Sequence, residues 1–350
     1  MTLALLDKLT GTGARTGDYR GARTVAVFTD VSAELDALRS SCAISDLAWR
    51  AKLVITGEDR VRWTNGMVTN NVRDLPPQRG NYSFVLNPQG RIQGDIVIYN
   101  RGDYLLGITD AAQVATLKEL FDRYVIMDDV EITDVSERLS SVGVTGPAAR
   151  KALAAAGLLD RTLEPGEVVD VEWQGLGCSV ARDVSESTES YEVWLASENA
   201  PRVWDALVAA GATPAGSEAL ELFRILQGTP RYGQDLGGRE LPQETAQAHA
   251  LHFVKGCYIG QEIVERIRAR GNVHRTFAGF TIGGPAPERG SKIMANGKEV
   301  GEVTSAAVVP IAGSRHTVAL GFIRREAAQP GTDIEIAGTP ARVVSLPLQV

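Results

Sequence analysis

Leu53-Val54-Ile55-Thr56-Gly57, followed by Glu58-Asp59-Arg60-Val61, reads as a strand, a glycine turn and the start of a helix. The same order returns in Ser141-Val142-Gly143-Val144-Thr145-Gly146, followed by Pro147-Ala148-Ala149-Arg150, where proline suits a first helical turn. A second pair echoes downstream. Tyr104-Leu105-Leu106-Gly107-Ile108 leads into a helical pattern over residues 111–124, and Tyr191-Glu192-Val193-Trp194-Leu195 into one over 199–210. The offsets, 89 from Gly57 to Gly146 and 87 from Tyr104 to Tyr191, keep nearly one register. Two α+β modules built on one plan are expected, the alternative being chance similarity between common strand–helix patterns.

Beyond residue 275 the pattern changes. Residues 277–282, 292–295, 299–304, 317–323 and 333–336 have strand character and are separated by Gly, Pro and Asn, with a two-residue hairpin signal at Asn296-Gly297. Short, closely spaced strands predict a small antiparallel barrel or sandwich. The chain therefore divides into a first α+β module with an N-terminal segment (1–139), a second (140–275) and a C-terminal barrel (276–350).

A length of 350 residues suits two or three domains, and 44% hydrophobic with 23% charged residues can bury a sizeable core. No apolar run approaches the roughly 18–20 residues of a membrane span. Met1 to Leu9 lacks the basic start of a secretory signal, and three cysteines suit a reducing compartment, so a cytoplasmic protein is expected. The net charge of −7 argues against nucleic acid as partner. Cys42, Cys178 and Cys257 form no Cys-x-x-Cys, so no self-contained metal site is expected. His249 and His252, one helical turn apart, lack the Glu of a zinc helix motif, and Gly11-Thr12-Gly13-Ala14-Arg15-Thr16-Gly17 lacks dinucleotide-loop spacing.

Lys255-Gly256-Cys257-Tyr258-Ile259-Gly260-Gln261-Glu262 carries the most chemistry. Ile259, Ile263, Val264 and Ile267 recur at helical spacing, which predicts a helix starting near Gly260 with Cys257 just ahead of it. Free N–H groups and the helix dipole favour a thiolate there, and Lys255 adds positive charge if it turns inward. The alternative is a cysteine packed as a small hydrophobe.

This octapeptide resembles the signature of the YgfZ proteins, a branch of the superfamily that contains the glycine-cleavage T-protein (aminomethyltransferase). Arg270-Gly271-x-Val273-x-Arg275 and Leu241-Pro242-Gln243-Glu244 extend the likeness, which covers roughly residues 45–346. It implies a three-lobed fold with tetrahydrofolate in a central hole, and Cys257 as the key thiol. By the same resemblance Glu192 would accept the paired N–H and amino groups of the pterin in a bidentate arrangement. Arg224, alone in the apolar run Leu222-Phe223-Arg224-Ile225, would contact folate, or else form a structural ion pair. Asp95 matches the second of two adjacent acids in aminomethyltransferases, with Gly94 in place of the first. It would steer a proton or stabilise an iminium-like carbon. Tyr82 and Tyr99 would stack on the pterin or serve as core aromatics. The loop before Glu192 departs from the aminomethyltransferase pattern, with Ser185 where a tyrosine is expected. The run Arg266, Arg268, Arg270 and Arg275 reads as a solvated helix face, or as a dock for an acidic partner or a polyglutamate tail.

Three functions follow from the resemblance. One is a tetrahydrofolate-binding protein that assists iron–sulfur cluster assembly or repair together with client or assembly proteins, as YgfZ resemblance implies. The alternative is an aminomethyltransferase moving a one-carbon unit from a lipoyl carrier to tetrahydrofolate. A folate-dependent demethylase module is a third possibility, without room for the flavin domain that usually accompanies it.

Overall fold

The computed structural model describes residues 4–11, 13–271 and 273–349, with residue 270 by its backbone alone. Met1 to Leu3, Thr12 in the glycine-spaced stretch, the Arg270 side chain and the unnamed position after Gly271 lie outside the described residues.

Both copies of the repeated plan form. Arg50–Thr56 is a strand, Gly57 turns at φ +102° and Arg60–Met67 is a helix. Leu139–Thr145, Gly146 at φ +124° and Ala149–Ala155 repeat the sequence of events. Glycine is required at both turns, because a Cβ on Gly57 would lie 2.0 Å from the Asp129 carbonyl oxygen and one on Gly146 2.5 Å from that of Ser41. The downstream pairs agree in detail. Leu105–Asp110 passes through the 3-10 turn Ala111–Gln113 into Val114–Asp122, and Ser190–Ala196 passes through Ser197–Asn199 into Ala200–Ala209.

These elements belong to a unit made of Met1–Ser83 and Ile96–Leu220. One sheet has six strands in the order Val168–Trp173, Leu176–Arg182, Ser190–Ala196, Leu139–Thr145, Ala43–Asp46 and Thr213–Pro214. The other has five, Arg79–Leu86, Ile92–Asn100, Leu105–Asp110, Arg50–Thr56 and Glu131–Asp134, of which the first two run on into residues 84–95 of the second unit. Ile44, Val142, Val144, Val180 and Val193 supply the apolar face of the six-stranded sheet, buried with Leu153, Trp204 and Leu207.

The second unit, Phe84–Asp95 with Glu221–Val350, contains a closed six-stranded antiparallel barrel. Its strands follow the order Arg275–Ile282, Ser314–Arg324, Lys298–Ile311, Lys292–Ala295, Asp333–Ile336 and Thr339–Val344, the last returning to pair with the first. Asn296-Gly297 makes the expected two-residue turn, with φ +51° and +73°. Ala312-Gly313 and Ala337-Gly338 turn with the same signs without an asparagine to announce them. Lys298–Ile311 runs seven residues past the expected end at 304, and Thr339–Val344, which carries Pro340, is a sixth strand that the pattern does not signal.

One expectation is corrected. His249 belongs to the single 3-10 turn Ala248–Ala250, which ends before His252, so the pair does not share a helix face. His252 Nδ1 instead accepts from the Val254 N–H at 3.4 Å.

Candidate functional site

In the first unit, strand alternation places Glu192 and Trp194 on one face of Ser190–Ala196, and register sets Ser141 opposite Trp194. Trp194 Nε1 donates to Glu192 Oε2 at 2.8 Å and Ser141 Oγ donates to the same oxygen at 3.1 Å. Arg50 Nε donates to Oε1 at 2.9 Å. Burial works against charge on Glu192, but Arg50, Lys52 and these hydrogen bonds outweigh it and hold the carboxyl below its ordinary range. Arg50 and Lys52 alternate with apolar neighbours along one strand, so both point the same way. Lys52 is buried, donates from Nζ to the Arg50 carbonyl at 2.9 Å, and burial pushes its ammonium down to about 8.

Tyr99 packs edge-on against Trp194, ring centroids 4.9 Å apart, and Tyr82 lies against the same aromatic and aliphatic cluster. Gly80 makes room for the Tyr99 ring, since a Cβ there would fall 2.4 Å from it. Burial, then the Glu192 charge, raises the Tyr99 phenol well above its usual value. The structure thus brings Glu192, Tyr82 and Tyr99 together and adds Arg50, Lys52 and Trp194. Two cations in the otherwise apolar run Trp49–Ile55 were the available signal, of the same kind that singled out Arg224.

The carboxylate geometry sets a condition on the expected bidentate contact. Each carboxylate oxygen accepts about two hydrogen bonds. Among the described residues Oε2 has two donors and Oε1 has one, which leaves Oε1 room for one further N–H. A bidentate pterin contact requires one internal donor to leave.

In the second unit, Asp95 is half-buried and Gly94 buried at the base of the Phe84–Asp95 segment. Burial, and then the charges of Asp95 and Glu240, raise the Tyr232 phenol, which places Tyr232 in the field of Asp95. The octapeptide forms a turn with Gly256 at φ +96° and Gly260 at φ +82°, followed by the helix Gln261–Arg270. A Cβ on Gly260 would lie 2.7 Å from the Asn87 carbonyl oxygen, and one on Gly90 would lie 2.8 Å from Ile263, so two turns meet backbone to backbone. Cys257 is exposed at this turn. Lys255 does turn inward: it is buried, with Nζ 5.0 Å from the Tyr258 ring centroid. Burial pushes the Tyr258 phenol up to about 12. Gln261 is half-buried and Glu262 exposed in the first helical turn.

Arg224 takes the ion-pair alternative. It donates to Asp235 at 2.6 Å, to Glu221 at 2.5 Å, to Ser305 Oγ at 2.7 Å and to the Thr229 carbonyl at 3.2 Å. It would meet folate only by exchanging one of these partners. Arg275 leaves the basic helix face altogether. It begins the barrel and pairs with Glu244 at 3.1 Å and Glu240 at 3.2 Å, whereas Arg266 and Arg268 are exposed on the helix. Among the described residues, no three His, Cys, Asp or Glu gather as a metal site.

Comparison with known proteins gives a consistent picture. Residues 5–255 match the GCVT N-terminal domain, and residues 275–349 match the glycine cleavage T-protein C-terminal barrel domain. The chain is 28% identical over 333 residues to an aminomethyltransferase of Geobacillus kaustophilus, covering 93% of this chain and 90% of that one. It is 29% identical over 346 residues to an aminomethyltransferase of Thermus thermophilus, covering 96% and 95%. The crystal structure of glycine cleavage system aminomethyltransferase T from Bartonella henselae has the same fold, with a TM-score of 0.88 at 20% identity over 99% of this chain and 97% of that one. These relatives carry the name aminomethyltransferase and not YgfZ. With both of its parts matched in order, the chain belongs to the glycine-cleavage T-protein family.

Proposed function

We propose that this protein binds tetrahydrofolate and moves a one-carbon unit, as the name of its relatives describes. An aminomethylated lipoyl carrier would give its carbon to tetrahydrofolate, forming methylene-tetrahydrofolate with release of ammonia and the carrier thiol. The observation that carries this reading is the buried, ionised Glu192 beside Tyr99, Tyr82 and Trp194. A charged acceptor among aromatic rings suits a pterin, which presents N–H donors on a flat ring. Glu192 would accept a pterin N–H on Oε1 and the tyrosines would shape the ring site; Asp95, by its likeness to the aminomethyltransferase acid, would hold or move a proton in the reaction. The test is calorimetric titration with tetrahydrofolate, joined to turnover of an aminomethylated lipoyl carrier. Absence of tetrahydrofolate binding sinks the reading.

A second reading, the YgfZ-type one, is favoured by Gly94 in place of an acid and by the solvent-exposed thiol of Cys257 at the glycine-bracketed turn. Here the protein would hold tetrahydrofolate and present Cys257 to iron–sulfur client or assembly proteins in the reducing cytoplasm, since one thiol cannot ligate a cluster alone. Cys257→Ala separates the two. Carrier turnover unaffected by the substitution supports transfer, whereas lost rescue of cluster-dependent enzymes in cells lacking the protein, with folate binding retained, supports the thiol role. We also propose that the three-part division at 139 and 275 reflects duplication of one α+β plan followed by the barrel.

A further inference from the structure

Three internal donors meet the Glu192 carboxylate, and one of them is only partly used. Arg50 gives Glu192 a single N–H, from Nε to Oε1 at 2.9 Å. Its Nη1 and Nη2, which carry the remaining N–H donors, make no hydrogen bond among the described residues, and neither is sealed from solvent. The Arg50 and Glu192 side chains are 15% and 12% exposed, so the pair is not closed off. Lys52 cannot take part, because it is buried with Nζ committed to the Arg50 carbonyl. Trp194 and Ser141 fill Oε2. What the pair still offers is an acceptor on Oε1 beside a guanidinium donor.

An acceptor next to a donor matches a ligand edge that sets a donor next to an acceptor. A 4-oxo pterin has such an edge in its lactam, where N3–H lies beside the carbonyl O4. Its other edge pairs N3–H with the 2-amino group, two donors that would need both carboxylate oxygens. Arg50 already has a carboxylate to balance its charge, so a neutral carbonyl suffices as its further acceptor. We propose that Arg50 determines specificity for the 4-oxo ring: Glu192 Oε1 accepts N3–H and an Arg50 Nη donates to O4. This rests on the tetrahydrofolate reading above and adds to it the ring edge that is recognised and the residue that selects it. A 4-amino ring puts a donor in place of O4 and leaves N3 an acceptor, so it opposes both contacts.

The test is calorimetric titration of the full chain with tetrahydrofolate, its 4-amino counterpart tetrahydroaminopterin, and 2-desamino-tetrahydrofolate. The unaltered protein should bind tetrahydrofolate at least about tenfold more tightly than the 4-amino compound. Loss of the 2-amino group, which neither contact uses, should change affinity by less than about threefold. Arg50→Met should weaken tetrahydrofolate about tenfold or more and the 4-amino compound by less than about threefold, so that the ratio between them shrinks. Arg50→Lys keeps a cation beside Glu192 but loses the planar fork, and the ratio should shrink there too. A merely structural role for Arg50 would weaken both rings alike. Equal binding of the 4-oxo and 4-amino rings by the unaltered protein, a loss of about tenfold on removing the 2-amino group, or a ratio preserved in either folded variant would overturn the proposal and leave tetrahydrofolate binding in place. Absence of tetrahydrofolate binding by the unaltered protein would overturn the underlying reading and this proposal with it.

Discussion

Exchanging Glu192 for glutamine keeps the size of the side chain and removes the charge that the buried Lys52 and the half-buried Arg50 face. Breaking a buried pair from one side costs about 3–5 kcal/mol, because the remaining charge stays desolvated. Glu192→Gln is therefore expected to lower the denaturation midpoint substantially and to weaken tetrahydrofolate binding about tenfold or more. Unchanged folate affinity in a folded variant would remove Glu192 from the site. Lys52 sets a pH signature. Its folded value near 8 lies below the ordinary 10.5, so between these values the unfolded chain carries a proton that the folded chain has lost. Stability should rise with pH across that window, and the difference between wild type and Lys52→Met, followed by urea unfolding at several pH values, should isolate the slope. The thiols differ as sharply. Cys42 and Cys178 are buried, and burial pushes Cys42 up to about 11, whereas Cys257 is exposed. Iodoacetamide on the native protein should label Cys257 first, with the other two reacting only on unfolding. Of these residues, Glu192 and Cys257 could be picked out from the chain. Lys52 and Arg50 are signalled only as two cations in the apolar run Trp49–Ile55, on the strand that holds one of the stretches that decided the fold.

At the scale of elements, the strand–glycine–helix unit is the part of the architecture read most directly. Apolar alternation gives the strand, positive φ gives the glycine, and the turn is tight because another backbone fills the place of a side chain. Gly146→Ala should cost more than about 2 kcal/mol, since both the φ of +124° and the 2.5 Å approach to Ser41 oppose a methyl group. Gly175→Ala is the control. Its φ of +77° is also unfavourable, but nothing among the described residues beyond its chain neighbours lies within 4 Å of the new atom, so a smaller loss is expected in the same thermal melt. Equal losses would show that strain in φ, and not crowding, dominates. The barrel shows where local reading stops. Asn296-Gly297 announces its turn, but Ala312-Gly313 and Ala337-Gly338 adopt the same conformation because the strands they join are already paired.

In the molecule as a whole, long-range polar networks hold elements distant in the chain. Arg224, on the helix Ser217–Gln227, meets Asp235 and then Ser305 of the barrel strand Lys298–Ile311, while Thr304 Oγ1 donates to Asp235 at 2.6 Å. The Arg224 and Asp235 side chains are 6% and 0% exposed, which puts the pair in the regime where one-sided loss is expensive. Asp235→Asn should destabilise by about 3–5 kcal/mol in chemical denaturation, and Arg224→Leu with Asp235→Leu should cost less than the two single losses combined. Additive losses would mean the two residues act separately. The periodicity of apolar residues, the glycine turns and the Lys255–Glu262 motif are carried by neighbours in sequence, so the order of strands and helices, the barrel and the family likeness were determined by the chain alone. The charge balance around Glu192, the inward turn of Lys255 and the pairing of Arg224 were decided only on folding. Arg50 reaches Glu192 across 142 residues and Arg224 reaches Ser305 across 81, and a charge has no periodic pattern to reveal a partner at such separations.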